Sequence, residues 1–233
     1  MIENLELTIL NEENIFHPES FNLEFHSIAY YFLLKLKKIK IPNATYIKIN
    51  IINRKKNSEI KFDISNGVLY ISLDIPFSEY LLLLKDEKIR FQCEMMYDIL
   101  KSTFIKYDLN WNILEAIIEE LQANNWKLQI ELLKKKVSKK YLYTFKLLLD
   151  IDSFTYICII EEGKDKKEII LFKSIALYFS MLMFRKIKII NNKEILIGND
   201  QTPFFKIDIE TKSFSIIEEK KSLIDPNLFY RKP

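Results

Sequence analysis

Residues 59–75, EIKFDISNGVLYISLDI, contain the clearest fold signal in the sequence. Polar and apolar residues alternate on both sides of Asn66-Gly67, which is typical of strands, because successive strand side chains point to opposite faces. A two-residue hairpin turn favours Asn-Gly, since both of its positions need positive φ angles. The stretch therefore predicts an antiparallel hairpin that pairs Glu59 to Ser65 with Val68 to Ile75.

Helical periodicity appears on both sides of this hairpin. Pro18 is typical of the first turn of a helix, and Pro42 disfavours helix in the residue before it. Asn112 and Glu115 resemble a capping box that opens a further helix. Two apolar stripes at three- and four-residue steps each predict one buried helix face. They are Phe21, Phe25, Ile28, Phe32, Leu36 and Ile39, and then Ile89, Cys93, Met96, Leu100, Phe104 and Tyr107.

The second half of the chain favours strands. Gly163 supplies a turn between two of them, and residues 174–184 form a short apolar segment that fits either helix or strand. The alternating segments are Trp126 to Val137, Tyr141 to Asp150, Phe154 to Glu161, Lys167 to Lys173, Ile187 to Ile190, Glu194 to Ile197, Phe204 to Ile209 and Ser213 to Ile217.

Runs of strands between runs of helices predict an α+β fold, with antiparallel β-meanders packed with a few long helices. Blocks near 44–108 and 141–184 share one order of elements, which suggests two similar lobes. We predict an α+β lobe at 1–125, with a helix, a β-meander and two helices. A β-rich lobe at 126–233 would contain the short buried apolar segment. A single domain is the alternative.

Composition limits the classes of function. The formal net charge is +3 over 233 residues, which does not indicate a dedicated nucleic-acid-binding protein. Three glycines cannot supply a dinucleotide loop or a P-loop, so we expect no nucleotide cofactor. Cys93 and Cys158 are too isolated for a disulfide framework or a metal site, and we interpret them as buried residues in a reducing compartment. The acidic N-terminus is unlike a signal peptide, and no apolar run reaches the ~20 residues of a membrane span, so we expect a cytoplasmic protein.

Charge is unevenly distributed along the chain. Residues 1–34 contain six glutamates and no lysine or arginine, and this zone could meet a basic partner or could have arisen by chance. Residues 127–140 contain six lysines and one acid, and could contact an acidic partner or phosphates, or serve only as a solvated turn. The candidate interface residues are Glu3, Glu6, Glu12, Glu13, Glu19, Glu24, Lys134, Lys135, Lys136, Lys139 and Lys140.

Catalytic candidates are few. His17 and His26 are the two histidines, and their spacing does not place two metal ligands on one helix face. Asp150 with Asp152, and Asp208 with Glu210, have the spacing of residues on one strand face, where two carboxylates could act as acid and base. These pairs leave a carboxylate-dependent hydrolase or nuclease-like enzyme as one hypothesis, beside solvated strand ends as the other.

Residues 197–218, IGNDQTPFFKIDIETKSFSIIE, indicate a strand, a turn and a hairpin. Ile197, Gly198 and Asp200, with Asp208 and Thr211 further on, resemble a strand-turn and hairpin of SUKH-type immunity proteins. Lys212 and Phe214 depart from that pattern. More broadly, the chain resembles bacterial toxin-immunity proteins, which are cofactor-free α+β proteins that neutralise a toxin by binding it. It implies a non-catalytic protein that occludes a partner protein. A scaffold component of a larger assembly is the further alternative.

Overall fold

The computed structural model describes residues 1–10, 18–36, 38–53, 60–75, 78–136, 141–151, 153–174, 186–190, 194–198, 203–208, 211 and 213–217. Within these ranges the chain forms three α-helices and twelve strands, and the predicted α+β class is confirmed. The contact pattern divides the chain into two compact units. The first contains Met1–Leu128 with Asp150–Asp152, and the second contains Gln129–Leu149 with Ser153–Pro233. The predicted apolar segment lies outside the described residues, apart from Ser174.

The first unit contains a four-stranded sheet. Its strands are β1 (Asn4–Leu10), β2 (Tyr46–Asn53), β3 (Lys61–Ser65) and β4 (Val68–Ile75), in the spatial order β1-β2-β4-β3. The predicted hairpin is confirmed, because β3 and β4 are antiparallel and Ser65 pairs with Val68. Asn66 and Gly67 have φ angles of 51° and 77°, the left-handed values that the turn requires.

This sheet is mixed rather than an antiparallel meander throughout. Strand β1 is parallel to β2, and β2 is parallel to β4. Helix α1 (Pro18–Leu36) lies between β1 and β2 in the chain, and such a crossover allows two successive strands to run in the same direction. Alternate residues of β4 are buried, whereas β3 has none that is fully buried. The more apolar strand therefore takes the central position, and the more polar strand lies beside it at the end of the order.

Three helices complete the described part of the first unit: α1, α2 (Lys85–Lys106) and α3 (Asn112–Ala123). The predicted stripes are confirmed for most of their described members, whereas Ile39, Ile89 and Tyr107 are only half-buried and α1 ends at Leu36, before Ile39. Phe25, Ile28, Phe32 and Leu36 of α1 are buried, as are Cys93, Met96, Leu100 and Phe104 of α2. Burial of each large apolar side chain favours folding by about 1.5–3 kcal/mol relative to exposure.

The predicted capping box at Asn112 and Glu115 is wrong, although the helix begins where expected. Trp111 is the N-cap residue of α3 and accepts no side-chain capping bond. Instead, the N–H of Asn112 donates to Asn110 Oδ1 at 3.0 Å. The preceding asparagine therefore satisfies one of the free N–H groups at the start of the helix.

Two further sheets belong mainly to the second unit. The strands of one are β5 (Leu128–Lys136), β6 (Tyr141–Leu149), β7 (Phe154–Glu162) and β8 (Asp165–Ser174), in sequential order. The other contains β9 (Lys186–Ile190), β10 (Glu194–Gly198), β11 (Pro203–Asp208) and β12 (Phe214–Ile216), also in sequential order. The pairs β6–β7, β7–β8, β9–β10, β10–β11 and β11–β12 are antiparallel, so the meander prediction is confirmed for these strands.

Replacement of Gly67 tests the turn that decides the first sheet. No atom lies within 4 Å of the position that a β-carbon would take, so Gly67→Ala adds no clash and introduces only the strain of positive φ. We expect the variant to lose about 1 kcal/mol of unfolding free energy in urea titrations. Ser65→Ala, at an exposed position of the same hairpin, is the matched control. Equal urea midpoints for the two variants would contradict the turn assignment.

The two cysteines offer a second test of the core. Burial raises the pKa of the Cys93 and Cys158 thiols to about 12, and Glu94 adds to the effect at Cys93. Because the thiolate is the reactive form, neither thiol should react with an aromatic disulfide reagent between about pH 7 and 9 in the folded protein. Both should react once urea unfolds the chain. Rapid labelling of either cysteine without urea would show that its burial is wrong.

Candidate protein-interaction site

Two neighbouring leucines are the most exposed large apolar residues of the described chain. Leu82 is 85% exposed and Leu84 is 74% exposed, and only one residue separates them. They lie in residues 79–84, here called the leucine turn, which contains the 3₁₀ segment Tyr80–Leu82 and leads directly into α2. Exposed apolar residues scattered singly are common on monomers, whereas large contiguous apolar patches mark surfaces that contact a partner.

Tyr80 anchors this turn in the protein interior. Its side chain is fully buried, and its hydroxyl donates to Glu24 Oε2 at 2.7 Å. Gln92 Nε2 donates to the same hydroxyl at 2.6 Å. The ring lies beside those of Phe25 and Phe91, with centroids 5.6 and 5.3 Å away. Burial raises the pKa of Tyr80, and the hydrogen bond to Glu24 raises it further, so the hydroxyl stays protonated and donates.

Backbone hydrogen bonds fix the remainder of the turn. The Leu83 N–H donates to the carbonyl of Tyr80 at 3.2 Å, and the Leu84 N–H donates to Glu87 Oε2 at 2.8 Å. The second of these bonds is the glutamate half of a capping box at the start of α2. Both leucines are thus held in one backbone conformation, and a partner would not bear the entropic cost of ordering the turn.

Two lysines of α2 add ion pairs beside the turn. Lys88 Nζ lies 3.6 Å from Glu24 Oε2 and 5.0 Å from the centre of the Tyr80 ring. Lys85 Nζ lies 2.8 Å from Asp150 Oδ2. These pairs are partly exposed, so each contributes at most about 1 kcal/mol to stability. Their larger effect is to neutralise both lysines next to the leucine turn.

Asp150 therefore lies near the leucine turn, at the end of a strand. The residue follows the last residue of β6, and its Oδ1 accepts the N–H of Ile151 at 2.8 Å. Its carbonyl accepts the hydroxyl of Ser27 at 2.6 Å. Asp152, the other member of the predicted carboxylate pair, lies outside the described residues.

Of the second predicted carboxylate pair, Asp208 and Glu210, the structure describes only Asp208. Asp208 is the last residue of β11, and its Oδ1 accepts the N–H of Thr211 at 2.7 Å. This bond stabilises the turn between β11 and β12. Glu210 lies outside the described residues, as does His17. His26 is half-buried, and burial lowers its pKa while the charge of Glu6 opposes that shift.

The candidate acidic interface residues have different environments. Glu3 is exposed, whereas Glu6 and Glu24 are half-buried in contacts within the protein. Glu6 accepts hydrogen bonds from Tyr46 and Thr8. Glu12 and Glu13 lie outside the described residues, and Glu19 is described only as part of α1. Of the acids in this group whose side chains are described, Glu3 is the one that is open to a partner.

The candidate lysines lie on and beyond β5. Lys134 and Lys136 are exposed on this strand. Lys135 is described only through its backbone, and Lys139 and Lys140 lie outside the described residues. The two exposed lysines belong to the second compact unit, whereas the leucine turn belongs to the first.

Cation–aromatic contacts on α2 and α3 form a further polar surface that sequence reasoning missed. Lys101 Nζ lies 4.2 Å from the Trp111 ring centre and 5.3 Å from that of Tyr97. Arg90 lies 5.5 Å from the ring centre of Trp126. Such contacts are favourable because the negative face of an aromatic ring attracts a cation, and these cations are consequently occupied within the protein.

Within the described ranges, no group of three or more histidine, cysteine, aspartate or glutamate side chains is arranged to hold a metal ion. The helices described here are all too short or too polar to cross a membrane. Comparison with protein-family models, with curated proteins and with solved structures finds no match to this chain.

The leucine turn could have been found from the sequence, although not from a periodic pattern. Leu81 to Leu84 are four consecutive leucines, placed just before the helical stripe that begins at Ile89. A tight turn cannot bury four successive apolar side chains, because they point in different directions. An unbroken leucine run at the start of a helix therefore indicates that some of these residues face solvent.

Two tyrosine-to-phenylalanine variants test the anchor. Tyr80→Phe removes the partner of Gln92 Nε2 and of Glu24, so we expect a loss of about 1–3 kcal/mol in unfolding free energy. Tyr143→Phe is the matched control, because the Tyr143 hydroxyl is buried and has no hydrogen-bond partner among the described residues. Its removal should leave stability unchanged or raise it. Urea denaturation measures both, and equal effects would contradict the anchoring role of Tyr80.

Proposed function

We propose that this chain is a non-catalytic binding protein that neutralises a partner protein, in the manner of bacterial toxin-immunity proteins. The leucine turn carries the proposal, since it exposes Leu82 and Leu84 on a backbone that buried Tyr80 holds in place. Burial of an exposed leucine contributes about 1.5–3 kcal/mol to association. These two exposed leucines, separated by one residue, are the anchor that we propose for a complementary surface of the partner.

The mechanism is steric occlusion. A partner that accepts both leucines is covered by the start of α2 and by the residues around it, and a substrate can no longer reach the covered surface. For such binding, this chain needs neither a cofactor nor a nucleic acid. Exposed Glu3, and Lys134 with Lys136, are further positions at which a partner could make contact.

The immunity-like class comes from the sequence resemblance in the β10–β12 region. β10 ends at Gly198, and β11 ends at Asp208, whose carboxylate accepts the Thr211 N–H. These positions belong to the stretch whose sequence resembles the strand-turn and hairpin of SUKH-type proteins. We place the protein in the cytoplasm of a bacterium, where it would meet a toxin domain encoded by a neighbouring gene.

The direct test is protection of cells. The product of the neighbouring gene in the native host is expressed with and without this chain, and growth is compared. Purified proteins are then mixed, and the complex is measured by calorimetry. Absence of both protection and binding would overturn the proposal.

A paired substitution tests the anchor within the same assay. Leu82→Ser with Leu84→Ser should preserve the fold, because both side chains are exposed, and should weaken the complex by about 100-fold. Ile105→Ser is the matched control, since Ile105 is a 62% exposed apolar residue near the other end of α2. Circular dichroism verifies folding of each variant. Protection that survives in the leucine variant would place the interface elsewhere.

A further inference from the structure

Three carboxylates lie close to Leu82 and Leu84 in the chain. Glu79 precedes Tyr80 in the turn, and Asp86 and Glu87 lie in the first turn of α2, directly after Leu84. All three acidic residues are exposed. Asp86 and Glu87 also favour the helix through its positive N-terminal dipole. Glu79 precedes the helix and is not needed for that purpose.

The positive charges of the same region are already matched inside the protein. Lys85 pairs with Asp150 and Lys88 pairs with Glu24, at 2.8 and 3.6 Å. Glu79 and Asp86 take part in no ion pair among the described residues, and Glu87 uses one oxygen to accept the Leu84 N–H. Once these pairs are considered, the surroundings of Leu82 and Leu84 are acidic.

This charge restricts what can cover the leucines. A surface that buries Leu82 and Leu84 also removes water from the neighbouring carboxylates. Burial of unpaired carboxylates is strongly unfavourable, whereas cations on the partner compensate the loss of hydration. Opposite charge at the rim also accelerates association at low salt. An acidic surface would be repelled, including a second copy of the same turn and an anionic membrane.

We infer that the leucine turn binds a protein surface whose apolar pocket is rimmed by lysine or arginine side chains. This inference rests on the proposed function and specifies the chemistry of the partner. The two leucines fill the pocket, and Glu79, Asp86 and Glu87 face the cations around it. The Lys85–Asp150 and Lys88–Glu24 pairs keep the lysines of this chain from opposing those cations.

The experiment uses synthetic probes and does not depend on the natural partner. A fluorescent amphipathic helical peptide of leucine and lysine is titrated with the full chain, and a leucine–glutamate peptide of the same pattern serves as its counterpart. We expect saturable binding of the lysine peptide, weakened by salt, and binding of the glutamate peptide at least about tenfold weaker. Equal affinity for the two peptides would overturn the inference.

Variants locate the binding surface. Glu79→Gln with Asp86→Asn should weaken binding of the lysine peptide by about tenfold at low salt and reduce its salt dependence. Leu82→Ser with Leu84→Ser should abolish saturation. Glu115→Gln with Glu119→Gln removes the same charge from exposed positions of α3 and should leave affinity unchanged. If the α3 variant weakens binding as much as the turn variant, the attraction is general and the inference fails.

Further outcomes separate this inference from the proposed function. Self-association that the leucine variant abolishes, seen by sedimentation, or binding to anionic vesicles, would assign the turn to a different occupant and overturn the inference. Protection of cells without selectivity for the lysine peptide would overturn the inference and leave the proposed function standing. Selectivity without protection would support the stated chemistry and count against the immunity function.

Discussion

The buried hydroxyl of Tyr80 is the interaction on which the described site depends. It joins Glu24 of α1 to Gln92 of α2, through bonds of 2.7 and 2.6 Å. A hydrogen bond to a charged group contributes about 1.5–3 kcal/mol, but Gln92 Oε1 is buried without a hydrogen-bond partner in the described part of the chain, which offsets part of that gain. The net effect on stability is therefore modest. The same bonds connect α1, the leucine turn and α2 through one buried hydroxyl.

The same polar face of α1 makes contacts further along the helix. Lys35 Nζ lies 2.6 Å from Glu120 Oε2 of α3, and the Tyr31 hydroxyl donates to Glu120 Oε1 at 3.3 Å. Glu24, Tyr31 and Lys35 follow helical spacing, as do the buried apolar residues of α1. Helix α1 thus has an apolar stripe for the core and a polar row that orients α2 and α3. Of this row, Glu24 is the residue that contacts the leucine turn and the start of α2, through Tyr80 and Lys88.

The predictable parts of this structure were those that local chemistry determines. Asn66-Gly67 predicted the first hairpin, and the apolar stripes located α1 and α2. Both signals are local, because turn geometry and helical period depend on residues that are close in the sequence. The mixed order of the first sheet was not predicted, because it depends on which strand becomes central. Glu24 was predicted as a surface acid, and its hydrogen bond to Tyr80 joins residues 56 positions apart. Such a long-range contact has no signal in the spacing of a single sequence.

Stability and recognition are assigned to different residues of one short turn. The Tyr80 side chain is enclosed in the protein interior and that of Leu82 is mostly exposed to water, although only one residue lies between them. An exposed leucine adds nothing to the burial that drives folding, so the fold does not explain why two leucines stand at these positions. The anchor explains how they can be held there without collapsing onto the surface. Leu82 and Leu84 are therefore free to contact a partner, because the fold does not bury their side chains. Their backbone is already ordered, so binding does not carry the entropic cost of ordering it.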